Sequence, residues 1–578
     1  MRKLISQTIV IGQALLLVLF ATASWAGSDV SSKNIPARLA PGAVEQSLSP
    51  QTSPERAAPP EITITEERSK GLQGGQGVKL TLSAIAFEGN EVFSDEELLA
   101  QVHDYLGQTI AVDELQRIAD VITAYYHKNG YILSHAYLPP QTIAGGTAVI
   151  AVTEGRLGRV IVVGNKRYKA EMIEKIMDQV REKGALSGLS LEKGALLVND
   201  LPGLSAKATL VAGKIPGTTD IIMEVKESKI WQVGFDYNNF GSEYVSQNRF
   251  GLNLSFFNPF RLGDAFDFRF MTGPNSSDTD GPMWYLRGEY SLPINSYGTR
   301  VGLAGSSLKY SVGEELEDLN LTGCSDLVSL WISHPFSRSR YYSWWLDGGY
   351  DLKRVSNKML NQSLYEEDLN NVHVGSHWEW IDAYLGRNVT SLRITKGLSD
   401  EDIGSRLFAN GEFMKIEGEY NRFQAIPWHD MTAIFSANFQ MANDRMPTCE
   451  ELSLGGAGTV RGYPMSDYSG DDGIYGTLEV RYPIYKGQID WQKASGLYGD
   501  WAVEAALFTD MGRVWTKDSI PAELDSATLG SVGAGLRVAY VPYAEAKIEW
   551  AKYILGDQPS DEGVKEDGAW YFQISAAY

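Results

Sequence analysis

In the C-terminal segment AWYFQISAAY, Trp570, Phe572, Ile574, Ala576 and Tyr578 fall on one face of an extended strand, and Tyr571, Gln573, Ser575 and Ala577 fall on the other. The same period of two governs the segments before it. In YAEAKIEWA, Ala544, Ala546, Ile548 and Trp550 oppose Glu545, Lys547 and Glu549; in SVGAGLRVAY, Val532, Ala534, Leu536, Val538 and Tyr540 oppose Arg537 and glycines. No helical period interrupts this alternation from Ile230 to the C-terminus. A charged face backed by an apolar one is what a transmembrane β-barrel requires, with lipid outside and a polar lumen inside. A soluble sandwich also alternates, but here the aromatics sit on the apolar face at strand ends, as interfacial girdles require, and the chain stops on a strand ending in Tyr578.

Candidate strands of about ten residues are centred near residues 234, 252, 268, 287, 304, 327, 347, 376, 392, 416, 434, 480, 505, 535, 548 and 573. That makes sixteen, an even number suited to an antiparallel barrel over 229–578 whose lumen is wide enough for water or a plug.

A barrel of this kind belongs in an outer membrane, and the N-terminus agrees. Arg2 and Lys3 precede an apolar run from Ile9 to Ala21, and ATASWA ends in small residues, so 1–26 reads as a cleavable export signal. With 51 basic and 72 acidic residues the chain has a formal net charge of −21, which argues against nucleic acid as a partner. Cys324 and Cys449 lack metal-type spacing and are too few for a disulfide framework. Residues 27–78, with prolines at 36, 41, 50, 54, 59 and 60, read as a flexible arm in which a short helix fits between Ala37 and Ser49, its length limited by Pro41.

Two α+β units follow, expected at 79–155 and 156–228. The first starts with the strand LTLSAIAFEGN, and Ser94-Asp95-Glu96-Glu97 forms a capping box opening a helix to Leu106. A second helix places Leu115, Ile118, Ala119, Ile122 and Tyr126 on one stripe and stops at Asn129-Gly130. YILSHAYL and AVIAVTEG complete the sheet. From Arg159 the order strand, helix, helix, strand, strand repeats, an internal duplication of roughly 75 residues per unit. His103, His127 and His135 fall on different elements and read as surface or packing residues.

The segment LSLGGAGTVRGYPMSD, residues 452–467, lies in an unusually long connection spanning about 442–473, between the eleventh and twelfth strands and therefore on the long-loop, extracellular side. Its glycines 455, 456, 458 and 462 allow sharp turns and close approach to a wall, and Arg461 is its single cation. In the thirteenth strand Trp501, Val503, Ala505 and Leu507 take the lipid face, so Glu504, Phe508 and Asp510 take the lumen face. A guanidinium drawn inside would meet the Asp510 carboxylate. His373, His377 and Glu379 share an inward face but are too widely spaced along a strand for one metal ion, and read as pore-lining.

These residues resemble the two-partner secretion transporters, the TpsB family, relatives of BamA-type assembly barrels. Val460-Arg461-Gly462-Tyr463 matches the signature of the family's sixth extracellular loop, which folds into the lumen, and Phe508, Asp510 and Gly512 match its Phe-x-Asp-x-Gly barrel motif. Gly130, Tyr131, Pro139, Pro140, Gln141, Glu154 and Gly155 match its first periplasmic POTRA domain, and LLVNDLPG its second. The resemblance implies an outer-membrane translocator exporting, and in haemolysin-like systems activating, a large TpsA-type exoprotein. The POTRA domains would recognise the partner's N-terminal secretion domain by adding strands or lining a groove, and the arm would supply a plug helix. It further implies insertion by the barrel-assembly machinery into outer-membrane lipid, and it implies no catalytic residues, cofactor, metal, nucleotide or nucleic acid. A BamA-like assembly factor is the alternative, although such factors usually carry more POTRA units than two. A diffusion porin needs none, and an outer-membrane enzyme would need a nucleophile and base set that the sequence lacks.

Overall fold

The structure, a computed structural model, describes residues 39–48, 62–64, 79–143, 145–181, 185–215, 217–274, 282–399, 405–409, 411–487, 500–521, 523–559 and 567–578. The expected export signal lies outside the described residues.

The arm contributes a helix, α1 (Pro41–Leu48), and a short strand, β1 (Ile62–Ile64). The first α+β unit comprises β2 (Lys79–Thr81), β3 (Ala84–Glu88), α2 (Asp95–Val102), β4 (Thr109–Ala111), α3 (Val112–Lys128), β5 (His135–Tyr137) and β6 (Thr147–Thr153). Strand β6 lies between β3, parallel, and β5, antiparallel. The capping box forms: Glu97 N–H donates to Ser94 Oγ at 3.3 Å and Ser94 N–H to the Glu97 carboxylate at 2.9 Å. The apolar stripe of α3 is fully buried against Phe87, Ala148 and Ile150. Helix α2 ends at Val102 rather than Leu106, giving way to a tight turn over His103–Tyr105. The expected strand YILSHAYL shrinks to His135–Tyr137, because Tyr131 N–H bonds back to Tyr126 and Ser134 N–H to Tyr131, which curls the residues before it.

The second unit runs β7 (Arg156–Val163), α4 (Ala170–Asp178), α5 (Gly188–Asn199), β8 (Leu204–Ala212) and β9 (Thr218–Glu227), in a sheet of order β1-β8-β9-β7. The two units repeat one device. Gly89 and Gly164, at φ +83° and +87°, turn the chain after β3 and β7. Asn90 and Asn165 each donate across the turn, at 3.0 Å, to the carbonyls of Phe93 and Tyr168. A glutamate from the last strand then clamps the turn. Glu154 accepts from the backbone of Glu91 and Val92, both at 2.8 Å, and Glu227 from Lys166, Arg167 and Tyr168 at 2.7, 2.9 and 3.1 Å. Glu154 also accepts from the Tyr126 hydroxyl at 2.8 Å, which ties the clamp to the core.

The barrel strands are β10 (Trp231–Asn238), β11 (Arg249–Phe257), β12 (Ala265–Gly273), β13 (Met283–Pro293), β14 (Arg300–Ser311), β15 (Thr322–Arg338), β16 (Tyr342–Met359), β17 (Gln362–Ile381), β18 (Arg387–Gly397), β19 (Met414–Ile426) and β20 (Met431–Ala442). A long loop then carries β21 (Leu452–Leu454) and β22 (Tyr468–Gly470), which pair with each other and are not strands of the barrel wall. The wall resumes with β23 (Asp472–Gly487), β24 (Asp500–Trp515), β25 (Ser526–Val541), β26 (Ala544–Gly556) and β27 (Ala569–Ala577). Sixteen strands close when β10 pairs antiparallel with β27. Each of the sixteen expected segments is one of these strands.

Outward side chains are apolar and bare. Leu507, Trp570 and Ile574 are 68%, 55% and 55% exposed, whereas Tyr571 on the opposite face is buried. A soluble chain does not leave such a surface to water, so lipid covers it. Strands β15, β16 and β17, of 17, 18 and 20 residues, exceed the expected ten and carry outward polar pairs such as Arg354 with Asp368 at 2.6 Å beyond the apolar band. The second α+β unit docks on the connections after β11, β13 and β15. Arg338 makes a bidentate pair with Asp200 at 2.8 and 2.6 Å, and Gly263 and Gly298 leave room for Leu201 and Leu197. Successive connections alternate between barrel ends, so the loop after β20 emerges at the end opposite these units.

Candidate functional site

The connection from Ala442 to Asp472 folds back into the barrel, and its tip is buried. Gly455, Gly456 and Gly462 hold φ of +112°, +88° and +89°, which L side chains rarely adopt. Gly462 also presses on the wall: a Cβ there would lie 3.0 Å from Tyr553 N. Val460 is fully buried with Leu454, Val514, Ala527 and Leu529, so an apolar seat flanks the cation.

Arg461 reaches the wall as a fork. Its Nε and one terminal nitrogen donate to the two oxygens of Asp510 at 2.8 and 2.7 Å, and its backbone N–H adds a third bond to that carboxylate at 3.1 Å. The other terminal nitrogen meets Glu549 at 3.1 Å and Glu479 at 3.6 Å. The guanidinium carbon lies 3.3 Å from the centroid of the Phe508 ring, a cation–π contact. Three carboxylates around one cation would repel, but Arg537 bridges Glu479 and Glu549 at 2.9 and 2.8 Å and balances them. Thr477 Oγ1 donates to Asp510 at 2.8 Å, filling another acceptor site. Breaking one member of such a buried ion pair costs about 3–5 kcal/mol, because the others stay desolvated.

The neighbours of Arg461 are anchored too. Gly462 N–H donates to the Tyr571 hydroxyl at 2.8 Å, and the Tyr463 hydroxyl donates towards the carbonyls of Leu555 and Asp557 at 3.1 and 3.2 Å. Gly512 keeps the seat open: a Cβ there would lie 2.9 Å from Leu454 and 3.1 Å from Val460. The structure therefore brings Val460, Arg461, Gly462, Tyr463, Phe508, Asp510 and Gly512 together. Sequence reasoning missed Glu479, Glu549, Arg537 and Tyr571 as partners. Inward parity was the available signal for them, but parity alone does not say which inward residues converge across the lumen.

A second anchor holds the same loop on the far wall. Glu450 accepts from Lys415 at 2.9 Å and pairs with Lys353 at 3.4 Å, and Arg406 pairs with Asp471 and Glu451 at 2.8 and 2.7 Å. The loop thus crosses the lumen, and α1 lies under it. Pro41 begins this helix instead of breaking it, since the first helical position needs no N–H. Leu39, Val44 and Leu48 pack on Met271, Met283, Tyr285, Leu308 and Tyr310 of the wall. Glu45 accepts from Ser325 at 2.7 Å, and Gln46 donates to the Glu451 carbonyl at 2.8 Å. Gly42 touches Cys449 so closely that a Cβ would fall 2.4 Å from its Cα. Both cysteines are free, and Cys449 is a packing residue at this contact.

The remaining motif residues lie elsewhere. Gly130, at φ +95°, ends α3, and Tyr131 packs edge-on against Phe93. Pro139 and Pro140 lead to Gln141, whose amide mimics a strand residue by bonding both backbone groups of Val149 at 2.6 and 2.7 Å. Gly155 follows the Glu154 clamp and leaves space for Leu133. Tyr578 closes the barrel seam by exchanging backbone bonds with Val233 at 2.8 and 3.2 Å, and Lys229 lies 3.6 Å from the centroid of its ring. His373 pairs with Asp351 at 3.0 Å and His377 with Glu379 at 3.5 Å.

Residues 217–538 match the family described as haemolysin secretion/activation protein ShlB/FhaC/HecB, and residues 80–155 match the ShlB-type POTRA domain. The heme/hemopexin transporter protein HuxB of Haemophilus influenzae is 23% identical over 483 residues, covering 80% of this chain and 82% of its own length. The outer membrane transporter CdiB of Escherichia coli O6:K15:H31 is 27% identical over 534 residues, covering 84% of this chain and 83% of its own. The solved structure of CdiB from Escherichia coli superposes with a TM-score of 0.72 at 23% identity, covering 91% of this chain and 94% of that one. With more than half of its 578 residues inside the family profile and a POTRA match before it, this chain belongs to the ShlB/FhaC/HecB family of two-partner secretion transporters of the outer membrane.

Proposed function

We propose that this transporter takes up the secretion domain of a large TpsA-type exoprotein on its POTRA units and passes the unfolded chain through the barrel, performing no covalent chemistry itself. Folding of the cargo outside gives the direction, since no nucleotide-binding motif is present in the sequence. The observation that supports this reading is the pinned loop. A merely long surface loop has no use for a guanidinium buried among Asp510, Glu549 and Glu479 on the barrel wall. A lumen crossed by that loop and occupied by α1 is closed at rest, so passage requires α1 to leave while the loop stays ordered against the wall. Outer-membrane lipid surrounds the wall, and the barrel-assembly machinery inserts it.

Arg461→Ala tests the reading. Membrane insertion is expected to stay near normal, because closure rests on the strand ladder and the outward apolar face. Secretion of the cognate exoprotein is expected to fall at least tenfold, as roughly 3 kcal/mol of anchoring is lost. Arg461→Lys is expected to rescue poorly, since an ammonium cannot reproduce the fork. Near-normal secretion by Arg461→Ala at normal barrel levels would overturn the anchoring role.

A further inference from the structure

Large apolar side chains away from the lipid band need a reason to face water. Leu407 and Phe408, in the connection between β18 and β19, are 65% and 81% exposed. This connection emerges at the same barrel end as the loop after β20, opposite the POTRA units. Phe408 holds φ at +64°, a left-handed conformation that a bulky L residue rarely adopts.

Anchors on both sides impose this exposure. Before the pair, Ser405 N–H donates to the inward Glu367 carboxylate of β17 at 3.1 Å, and Ser405 Oγ accepts from Thr448 N–H at 3.2 Å. Arg406, itself buried, donates to both oxygens of Asp471 at 2.8 and 3.1 Å and to Glu523 at 3.2 Å. Arg445, also buried, donates from Nε to the Leu407 carbonyl at 2.7 Å, while its terminal nitrogens hold Glu523 and the carbonyls of Lys517 and Asp518. After the pair, Ala409 is buried and its N–H returns to the Arg406 carbonyl at 3.2 Å. Two buried guanidiniums therefore fix a strained main chain while both apolar side chains stay in water. Backbone strain that its surroundings over-determine points to function.

The same anchors place the pair. Arg445, Thr448 and Asp471 belong to the loop that crosses the lumen, and Glu367 faces inward, so the segment 405–409 lies inside the rim, over the channel mouth. Lipid covers the outer face of the wall, whereas this side meets the external medium and whatever leaves the lumen. We propose that Leu407 and Phe408 form a receiving surface for the exported chain. Apolar side chains of the emerging unfolded polypeptide settle on them, which takes both from water and opposes backward slippage before the cargo folds. The identity of the occupant rests on the transporter reading.

Photo-cross-linking in secreting cells tests the contact. The full-length protein with benzoylphenylalanine in place of Phe408 is expected to form an adduct with the cognate exoprotein, in several-fold higher yield than the same probe in place of Leu360, an exposed residue at the β16–β17 turn. Equal yields at the two positions, or an adduct with lipid or a second barrel copy in place of the exoprotein, would overturn the surface. A second variant separates contact from structure. Asparagine adopts the left-handed conformation readily, so Phe408→Asn removes the ring and relieves the backbone at once. A purely structural Phe408 predicts secretion at or above the wild-type rate. The receiving surface predicts that the exoprotein appears outside roughly threefold more slowly, a fraction of what fully burying a phenylalanine ring contributes, at unchanged barrel level. Phe408→Met should keep the wild-type rate. Unchanged kinetics in Phe408→Asn would refute the proposal. Export by wild type without an adduct at 408 would sink the surface alone, whereas a wild-type chain that exported nothing would sink the transporter reading and the surface with it.

Discussion

At the scale of single residues, the lumen site depends as much on a missing side chain as on a charge. Arg461 provides the bonds, but Gly512 provides the space in which Leu454 and Val460 settle. Adding one methyl group to a tight seat costs about 1–3 kcal/mol where neighbours must shift. Gly512→Ala is therefore expected to weaken secretion modestly, because the added methyl meets Leu454, Tyr475 and Val460 at 2.9, 3.0 and 3.1 Å, so each neighbour must give by a few tenths of an ångström. Gly512→Val should reduce secretion at least tenfold with the barrel still folded, and protease nicking of the loop in intact cells should rise. Equal secretion by the two variants would show that the loop does not sit on this glycine. The motif pair was legible in the sequence because parity put Asp510 inward. Glu549 and Tyr571 were equally inward, yet their meeting with Arg461 and Gly462 depends on the stagger of β24, β26 and β27, which no local pattern encodes.

At the scale of elements, the duplicated Gly-Asn turn explains why a glutamate sits at or just past the end of the last strand in both α+β units. Burial alone would push the Glu227 carboxyl up, but the N–H groups of Lys166, Tyr168 and Arg167 and the Arg167 guanidinium outweigh it and hold it at about 2. A group whose folded value lies below its unfolded value stabilises above the unfolded value and loses that contribution as pH falls through the folded one. The clamp is therefore fully effective above about pH 5 and fades from there to about pH 2. Glu227→Gln is expected to cost about 2–3 kcal/mol at pH 7, with the difference from wild type vanishing near pH 2. A fragment spanning 60–228 suits the measurement by urea denaturation, since both cores contain only residues before the barrel. A difference that did not change with pH would remove the carboxylate from the account. The clamp was half legible: the motif marked Glu154, and the repeat could have led to Glu227 by aligning VTEG with VKES.

At the scale of the whole molecule, a fork at the end of β15 helps to fix how the second α+β unit meets the barrel. Arg338, at the end of β15, is 4% exposed and satisfied by Asp200 after α5. Removing Asp200 leaves the Arg338 guanidinium desolvated, whereas Asp200, with 37% of its side chain exposed, keeps part of its hydration when Arg338 is lost. Asp200→Arg and Arg338→Asp are each expected to lower secretion several-fold without loss of barrel, and the exchanged pair should recover most of it. Limited proteolysis between the units and the barrel gives an independent readout, rising in the single variants and falling back in the pair. An exchanged pair no better than its parents would mean that the docking does not run through this contact.

The sequence alone determined the strand count, the inward and outward faces and the two-unit repeat, and the family resemblance of one motif marked the loop that enters the lumen. All of these follow from short-range rules: a period of two, a period of 3.6, capping residues and a motif. Convergence was decided only in three dimensions. Pro41 looked like a limit on a helix in a mobile arm, and became the first residue of a helix buried inside the barrel. Cys449 looked incidental and became its packing partner. The arm looked unstructured and gave a strand to β8. Each of these contacts joins residues far apart in the chain, and their free energy comes from surfaces that the closed barrel and folded POTRA sheet create, so no window of sequence could display them.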